Sequence, residues 1–176
     1  MKLNIREIDE DAKHLAYDEP TGALNGLLVH GQVCDFELPG AARVEVDYYR
    51  AGQELFFRGR ISGSVVGHCG RCLEAYPFRL ATDFSLALVP KQPLPAEVEL
   101  SDEDLDLAYY EGEQIDLSPL VHEQIILALP TRPLCREDCK GLCPNCGANL
   151  NTEACRCAVQ TNDRKPPILK NLKVGH

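Results

Sequence analysis

The cysteines of this chain are spaced in the way that metal ligands are spaced. A Cys-x-x-Cys turn directs two sulfurs at one tetrahedral centre, while nearby backbone amides donate hydrogen bonds to the thiolates. Cys143-Pro144-Asn145-Cys146 is such a turn, and Gly147 can take the positive φ by which the chain leaves the sulfurs. Cys155 and Cys157 follow across a loop rich in turn formers. These residues predict a zinc site, the terminal cluster: Cys143, Cys146, Cys155 and Cys157.

The remaining paired cysteines form a second set of four. We name it the split cluster because its members come from two distant segments: Cys69 and Cys72, then Cys135 and Cys139. Two sites of four thiolates would hold two structural zinc ions. A single patch of six C-terminal cysteines, with Cys69 and Cys72 left free, is the competing partition. Spacing predicts the type of ligand far better than it predicts pairing, so both partitions stay open here.

Two other uses of cysteine fit the sequence less well. Disulfides need an oxidising compartment, and residues 1–6 open without an apolar signal segment, so we expect a cytoplasmic protein with reduced thiols. A thioredoxin-like dithiol needs the start of a helix, whereas Cys69 follows the strand-like run 60–66. Cys34, which follows Val33 in another apolar run, is interpreted as a small buried hydrophobe.

Charge is distributed unevenly along the 176 residues. Residues 1–131 hold 10 Lys/Arg against 23 Asp/Glu, a net charge of −13, and residues 132–176 hold eight against four, a net +4. Because phosphate contacts dominate nucleic-acid affinity, the acidic body should repel RNA and suit a basic protein instead. The candidate RNA contacts are therefore in the tail: Arg164, Lys165, Lys170 and Lys173.

Apolar periodicity predicts an α+β fold: mainly an antiparallel β-sheet or a partly closed barrel, one main helix and a C-terminal zinc-knuckle module. The helix is predicted from the N-cap Ser118, with Pro119 at the first helical position, to about Ala128. Most of one helical stripe is expected to pack on the sheet: Leu120, Val121, Gln124, Leu127 and Ala128. No apolar stretch approaches the roughly 20 residues of a membrane span. The predicted strands are Leu3 to Ile8, Leu27 to Leu38, Ala42 to Tyr49, Leu55 to Val66 and Phe78 to Leu88.

The predicted organisation has three parts: a body (1–131), a cysteine-rich module packed on it (132–160) and a basic tail (161–176). Nine carboxylates without a Lys or Arg lie in residues 97–116, and mutual repulsion predicts a solvated, mobile loop there. We interpret this acidic run as a surface that binds a basic protein rather than as a site for catalytic Mg²⁺. No Ser/His/Asp set, Walker loop or dinucleotide turn is present, so we predict neither an enzyme nor a small-molecule substrate.

The chain resembles the YceD family, also called large ribosomal RNA subunit accumulation proteins. The resemblance spans essentially the whole chain. It rests on three stretches. The first is Ile115-Asp116-Leu117 with Leu120-Val121, Glu123-Gln124-Ile125, Leu127 and Leu129-Pro130. The second is Pro133-Leu134-Cys135, Cys139-Lys140-Gly141-Leu142-Cys143-Pro144 and Cys146-Gly147-Ala148-Asn149-Leu150-Asn151, and the third is the middle motif Cys69-x-Arg71-Cys72-Leu73-Glu74.

The resemblance implies a cytoplasmic bacterial protein, with plastid relatives, that is needed for the synthesis, processing or accumulation of 23S ribosomal RNA. It implies no catalytic activity. In the family's pattern the middle Cys-x-x-Cys persists in members whose terminal knuckle is eroded, which favours pairing Cys69 and Cys72 with Cys135 and Cys139.

Two function classes follow. One is a non-enzymatic ribosome-biogenesis factor whose partners are a ribosomal RNA precursor, a basic ribosomal protein or both. The other is a regulator whose cysteines release zinc on oxidation.

Overall fold

A six-stranded sheet forms the centre of this computed structural model, which describes residues 1–30, 35–91, 107–155 and 157. Its strands are β2 (Lys13–Glu19), β3 (Phe36–Glu37), β4 (Ala42–Ala51), β5 (Glu54–His68), β6 (Ala75–Pro90) and β7 (Leu107–Tyr110). The strand order is β2-β4-β5-β6-β7, and β3 pairs with β5 beyond the end of β4. All pairs are antiparallel except β6 with β7, which is parallel.

The described strands form an open sheet, so the mainly antiparallel prediction is confirmed and the partly closed barrel is wrong. The path runs from β2 at one edge to β7 at the other, and these two do not pair. The sheet presents one apolar and one polar face, as β4 illustrates: Val44 and Val46 are buried, while Glu45 between them is exposed. This alternation is typical of an antiparallel sheet that is solvated on one side.

The core lies between the apolar face of the sheet and the other elements. A two-stranded sheet pairs β1 (Lys2–Asn4) with β8 (Gln114–Asp116), and a short 3-10 helix (Ile5–Glu7) follows β1. The two α-helices are α1 (Gly22–His30) and α2 (Leu117–Ala128). Neither helix is long and apolar enough to cross a membrane, as judged over the described residues.

Helix α1 corrects the prediction of a strand from Leu27 to Leu38. Residues 22–30 are helical, only Phe36–Glu37 of the predicted run forms a strand, and 31–34, with Cys34, lie outside the described residues. Leu24 and Leu28 are both buried, and their separation of four residues is that of one helix face. A short apolar run does not by itself distinguish helix from strand.

Helix α2 is where the sequence predicts a helix, but its cap and its buried face differ. Asp116, rather than Ser118, is the N-cap, and its carboxylate accepts a hydrogen bond from the Ser118 backbone N–H at 3.1 Å. Of the predicted stripe, Val121 is buried and Leu120, Gln124 and Ala128 are partly buried, but Leu127 is 71% exposed. The buried side chains of the helix are Leu117, Val121, His122 and Ile125.

The acidic run is partly strand. Residues 97–106 lie outside the described part of the chain, but 107–110 and 114–116 form β7 and β8, so the prediction of a mobile loop is wrong for these segments. Basic partners from elsewhere in the fold offset some of the repulsion. Glu111 pairs with Lys91 at 2.5 Å, and Glu113 pairs with Arg6.

Candidate metal centres

The first half of the split cluster lies at the tip of the β5–β6 hairpin. Strand β5 ends at His68 and β6 begins at Ala75, so Cys69 and Cys72 occupy the turn between the two longest strands. The Leu73 N–H donates to the Cys69 carbonyl at 2.9 Å, which closes the turn. This geometry places both thiols on the same side of the tip.

The second half reaches the tip after the chain leaves α2. The Gly70 N–H donates to the Pro133 carbonyl at 2.8 Å, and the Arg71 guanidinium donates to the Cys139 carbonyl at 2.8 Å. These bonds bring Cys135 and Cys139 against the first two thiols. All four sulfurs lie within 4.8 Å of one another, with 3.7 Å from Cys69 Sγ to Cys139 Sγ and 3.7 Å from Cys72 Sγ to Cys135 Sγ.

These separations fit a thiolate-bound metal. A tetrahedral centre with metal–sulfur bonds of about 2.3 Å has sulfurs roughly 3.8 Å apart. A disulfide instead needs a sulfur separation of about 2.05 Å, so the pairs of this cluster are too far apart to be bonded. Cys69 is fully buried, and Cys72 and Cys139 are nearly so.

The thiols of the split cluster differ in pKa because of their hydrogen bonds and their crowding. Burial raises the pKa of Cys69, but backbone N–H groups of Cys135, Cys72 and Arg71 outweigh it and lower this pKa to about 6. Burial and hydrogen bonds with the neighbouring thiols raise the pKa of Cys135 to about 12. Four thiolates this close repel one another, so a bound dication is what would let all four ionise together.

The terminal cluster is built on the predicted Cys143–Cys146 turn. The Gly147 N–H donates to the Cys143 carbonyl at 2.9 Å. The four sulfurs lie within 4.8 Å of one another, with 3.2 Å from Cys143 Sγ to Cys155 Sγ and 3.8 Å from Cys146 Sγ to Cys155 Sγ. Backbone N–H groups of Cys146 and Asn145 lower the pKa of Cys143 to about 6. This cluster is more open, since Cys146 is exposed.

The two Cys-x-x-Cys turns have the same backbone form. Gly147 follows the terminal turn with φ of 73°, and Leu73 follows the hairpin turn with φ of 61°. Each donates its N–H to the carbonyl of the first cysteine at 2.9 Å. A leucine is strained at this positive φ. Leu73 is also 67% exposed, so burial of its side chain does not offset the strain. The hairpin turn keeps the same geometry as the terminal turn despite this unfavourable φ.

The comparison with protein families covers both clusters. The family model described as large ribosomal RNA subunit accumulation protein YceD matches residues 57–173. This chain belongs to the YceD family.

Curated relatives of this YceD-family chain come from mycobacteria and plants. An uncharacterized Mycobacterium tuberculosis protein is 37% identical over 95 residues, which are 54% of this chain and 44% of that protein. The Arabidopsis thaliana and Zea mays relatives, both named large ribosomal RNA subunit accumulation protein YCED homolog 1, chloroplastic, are 27% and 29% identical over 84% and 71% of this chain. The chain spans about half the length of these relatives. No solved structure matches it.

Sequence reasoning missed the residues that join the two clusters of this YceD-family chain. Asn151 belongs to the loop between Cys146 and Cys155, yet its amide donates to Cys139 Sγ of the split cluster at 3.3 Å. Its side-chain oxygen accepts from the Lys140 N–H at 2.8 Å. Asn149 of the same loop donates to Glu74 at 3.3 Å. The composition of this loop predicts only turns. The sequence signal for the contacts is the two side-chain amides, Asn149 and Asn151, placed between two pairs of cysteine ligands.

Gly141 packs closely against the backbone of the hairpin turn at Arg71. Its φ is 74°, and a Cβ there would lie 3.0 Å from the Arg71 carbonyl oxygen. Gly147 has φ of 73° with nothing within 4 Å of a Cβ. We expect Gly147→Ala to cost about 1 kcal/mol through φ alone, and Gly141→Ala to cost about 2 to 3 kcal/mol because Arg71 must also move. Urea unfolding of the two variants measures this difference, and equal losses would contradict it.

Several predicted residues cannot be placed. Arg164, Lys165, Lys170 and Lys173 lie outside the described residues. The division into body, module and tail also stays a prediction.

Proposed function

We propose that this chain is a non-enzymatic factor for the synthesis, processing or accumulation of large-subunit ribosomal RNA, built around two structural zinc ions. The match of the YceD family model to residues 57–173 carries the proposal. The names of the two plant relatives describe those proteins, and this chain spans about half of each. Extending their named role to this chain is therefore part of the proposal.

The donor sets support zinc as the metal. Within the described part of the chain each cluster consists of four thiols, and thiolates favour zinc or iron–sulfur chemistry over Mg²⁺ or Ca²⁺. Zinc in such a set stabilises folds, as in zinc knuckles and ribbons. Here Cys69 and Cys72 on the hairpin would bind the same ion as Cys135 and Cys139 beyond α2.

The closed ligand sets also support a role without catalysis. Four thiolates complete a tetrahedral shell, so neither ion would have a position for a reacting water. The proposed role is that each ion organises a surface. The proposed partners are a ribosomal RNA precursor, contacted by Arg164, Lys165, Lys170 and Lys173, and a basic ribosomal protein that meets the acidic body in the cytoplasm.

Complementation tests this proposal. In a bacterial strain that lacks its own YceD-family gene, the wild-type chain should restore the ratio of 23S to 16S ribosomal RNA. Cys72→Ser and Cys146→Ser should fail to restore it, because each removes one zinc ligand. Cys34→Ser is the matched control, since the sequence leaves Cys34 outside both clusters, and it should restore the ratio fully. An unrestored ratio with the wild-type chain at normal abundance would overturn the proposal.

The exposed thiol of Cys146 favours one alternative, a zinc- and thiol-responsive regulator. Oxidation of an accessible thiolate releases metal, and Cys146 is the thiol of the terminal cluster most open to such attack. Alkylation of the folded protein separates the two functions. Thiols that react only after chelation indicate structural centres, whereas rapid reaction of Cys146 with loss of metal in the folded state indicates a regulator.

A further inference from the structure

A groove on the solvated face of the sheet marks a break between β3 and β4. Strand β3 pairs with Val66 and Gly67 of β5, and β4 pairs with β5 only as far as Ser62, so neither strand pairs with residues 63–65. The chain crosses this break at 38–41, where the Thr21 hydroxyl donates to the Gly40 carbonyl at 2.7 Å. The result is an open groove of about 860 Å³.

Two arginines and two serines line this groove. Arg43 of β4 lies opposite Ser62 of β5, and Ser64 of β5 lies opposite Arg79 of β6. Because side chains two residues apart share a face, all four residues point to the solvated side. Guanidinium and hydroxyl groups together are the donors that proteins use to bind phosphate oxygens.

The size of the arrangement suits more than one anionic group. Neighbouring strands are about 4.8 Å apart and Arg79 is offset from Arg43 by two residues along the strands, so their Cα atoms are roughly 12 Å apart, with the serines between them. At this spacing the two side chains can each bind a different phosphate of an extended strand. Asp18, the one acidic residue among the described residues that line the groove, pairs with Arg43 at 3.4 Å.

The groove differs from its surroundings in charge. The first 131 residues carry a net charge of −13. On the same face Arg60 is held by Asp83, with 2.6 Å between Arg60 Nε and Asp83 Oδ1. Arg79 forms no ion pair with any residue in the described ranges. The groove is thus a place on an acidic body where cationic donors are not fully neutralised.

We propose that this groove binds the sugar–phosphate backbone of single-stranded RNA. The choice of RNA over another polyanion rests on the proposed function. A single strand can lie along the groove between the 38–41 crossing and β6, and its contacts would be to phosphates and therefore independent of base sequence. The groove would add a binding surface on the sheet to the one proposed for the tail.

Fluorescence anisotropy of the full chain with a 5′-fluorescein-labelled 12-residue oligouridylate tests the groove at salt concentrations from 50 to 200 mM. The double variant Arg43→Gln/Arg79→Gln should bind about tenfold more weakly, and the slope of log affinity against log salt should fall by roughly 1.4, since two phosphate contacts are lost. Asp18→Asn should bind more tightly because Arg43 is released. Arg60→Gln is the matched control and should stay within about twofold of the wild type.

Failure of the groove is distinguishable from failure of the proposed function. Unchanged oligouridylate binding by the double variant, at an unchanged thermal midpoint, would overturn the groove proposal, and so would no binding by the wild-type chain. A double variant that keeps RNA binding but loses binding to polyglutamate would overturn it in favour of an acidic protein. The ratio of 23S to 16S ribosomal RNA in the complementation strain tests the proposed function independently of all three outcomes.

Discussion

Removing metal from the full chain is expected to release residues 132–157 from the hairpin tip while the sheet stays folded. The buried side chains form two separate clusters, a large one between the sheet and the helices and a small one around Cys69, Cys72 and Cys139. The small one supplies little apolar area. Structural zinc contributes on the order of 10 kcal/mol per site, which matches the whole stability of a typical domain.

Backbone hydrogen exchange measures this release. The reporter amides are those of Gly70, Leu142 and Leu150, which donate to Pro133, Arg71 and Gly141 at 2.8, 3.0 and 2.9 Å. With excess chelator their protection should fall to that of an open segment, while amides in the middle of β4 and β5 keep theirs. Chelator already saturated with zinc is the control, and adding zinc back should restore protection. Reporter amides that stay protected without metal would contradict the account.

Gly59→Ala is expected to destabilise the sheet by about 3 kcal/mol. Gly59 lies on the apolar face of β5, opposite Phe84 of β6. A Cβ at this position would lie 2.4 Å from the Glu45 carbonyl oxygen and 2.9 Å from the Phe84 ring. The ring can rotate away, but the carbonyl belongs to the β4–β5 ladder, so the two strands must separate locally.

Gly63→Ala is the matched control for this prediction. Gly63 is on the same strand and the same face, and its nearest neighbour to a Cβ is Ala42 Cα at an ordinary 3.7 Å. Gly63→Ala should lower the free energy of unfolding by less than about 1 kcal/mol. The two substitutions differ only in how closely the new Cβ approaches its neighbours. Urea unfolding at constant metal content gives both values. Comparable losses at the two positions would show that the close approach at Gly59 has no energetic effect.

The long strands could be predicted because one face of the sheet is buried and the other solvated. Val44 and Val46 alternate with exposed residues, and this pattern of period two is independent of the rest of the fold. Helix α1 gave no such signal. Its apolar residues Leu24, Leu27 and Leu28 fit a short buried strand as well as a helix face, and tertiary packing, which buries only Leu24 and Leu28, decides between them.

Sequence spacing does not determine which cysteines share a metal centre. Cys69 and Cys139 are 70 residues apart, and whether they meet depends on the β5–β6 register and on the exit direction of α2. Spacing does encode the local turns, since Cys143 to Gly147 folds as a compact turn with the positive φ that its glycine permits.

The buried pair formed by His122 and Glu19 was also missed. His122 is 7% exposed, and its Nε2 lies 3.2 Å from a carboxylate oxygen of Glu19. The two residues belong to α2 and β2, which are about 100 positions apart in sequence. Only the packing of the helix on the sheet brings the two residues together, so local sequence patterns do not predict the pair.

Metal content per chain, measured by elemental mass spectrometry on purified wild-type protein and on two double variants, shows whether both clusters bind metal. We expect two zinc ions per wild-type chain, and one each for Cys69→Ser/Cys72→Ser and Cys143→Ser/Cys146→Ser, since each pair belongs to a different cluster. If the wild-type chain binds one zinc ion and Cys69→Ser/Cys72→Ser still binds it, the split cluster is not a metal centre. Iron in place of zinc would contradict the identity of the metal.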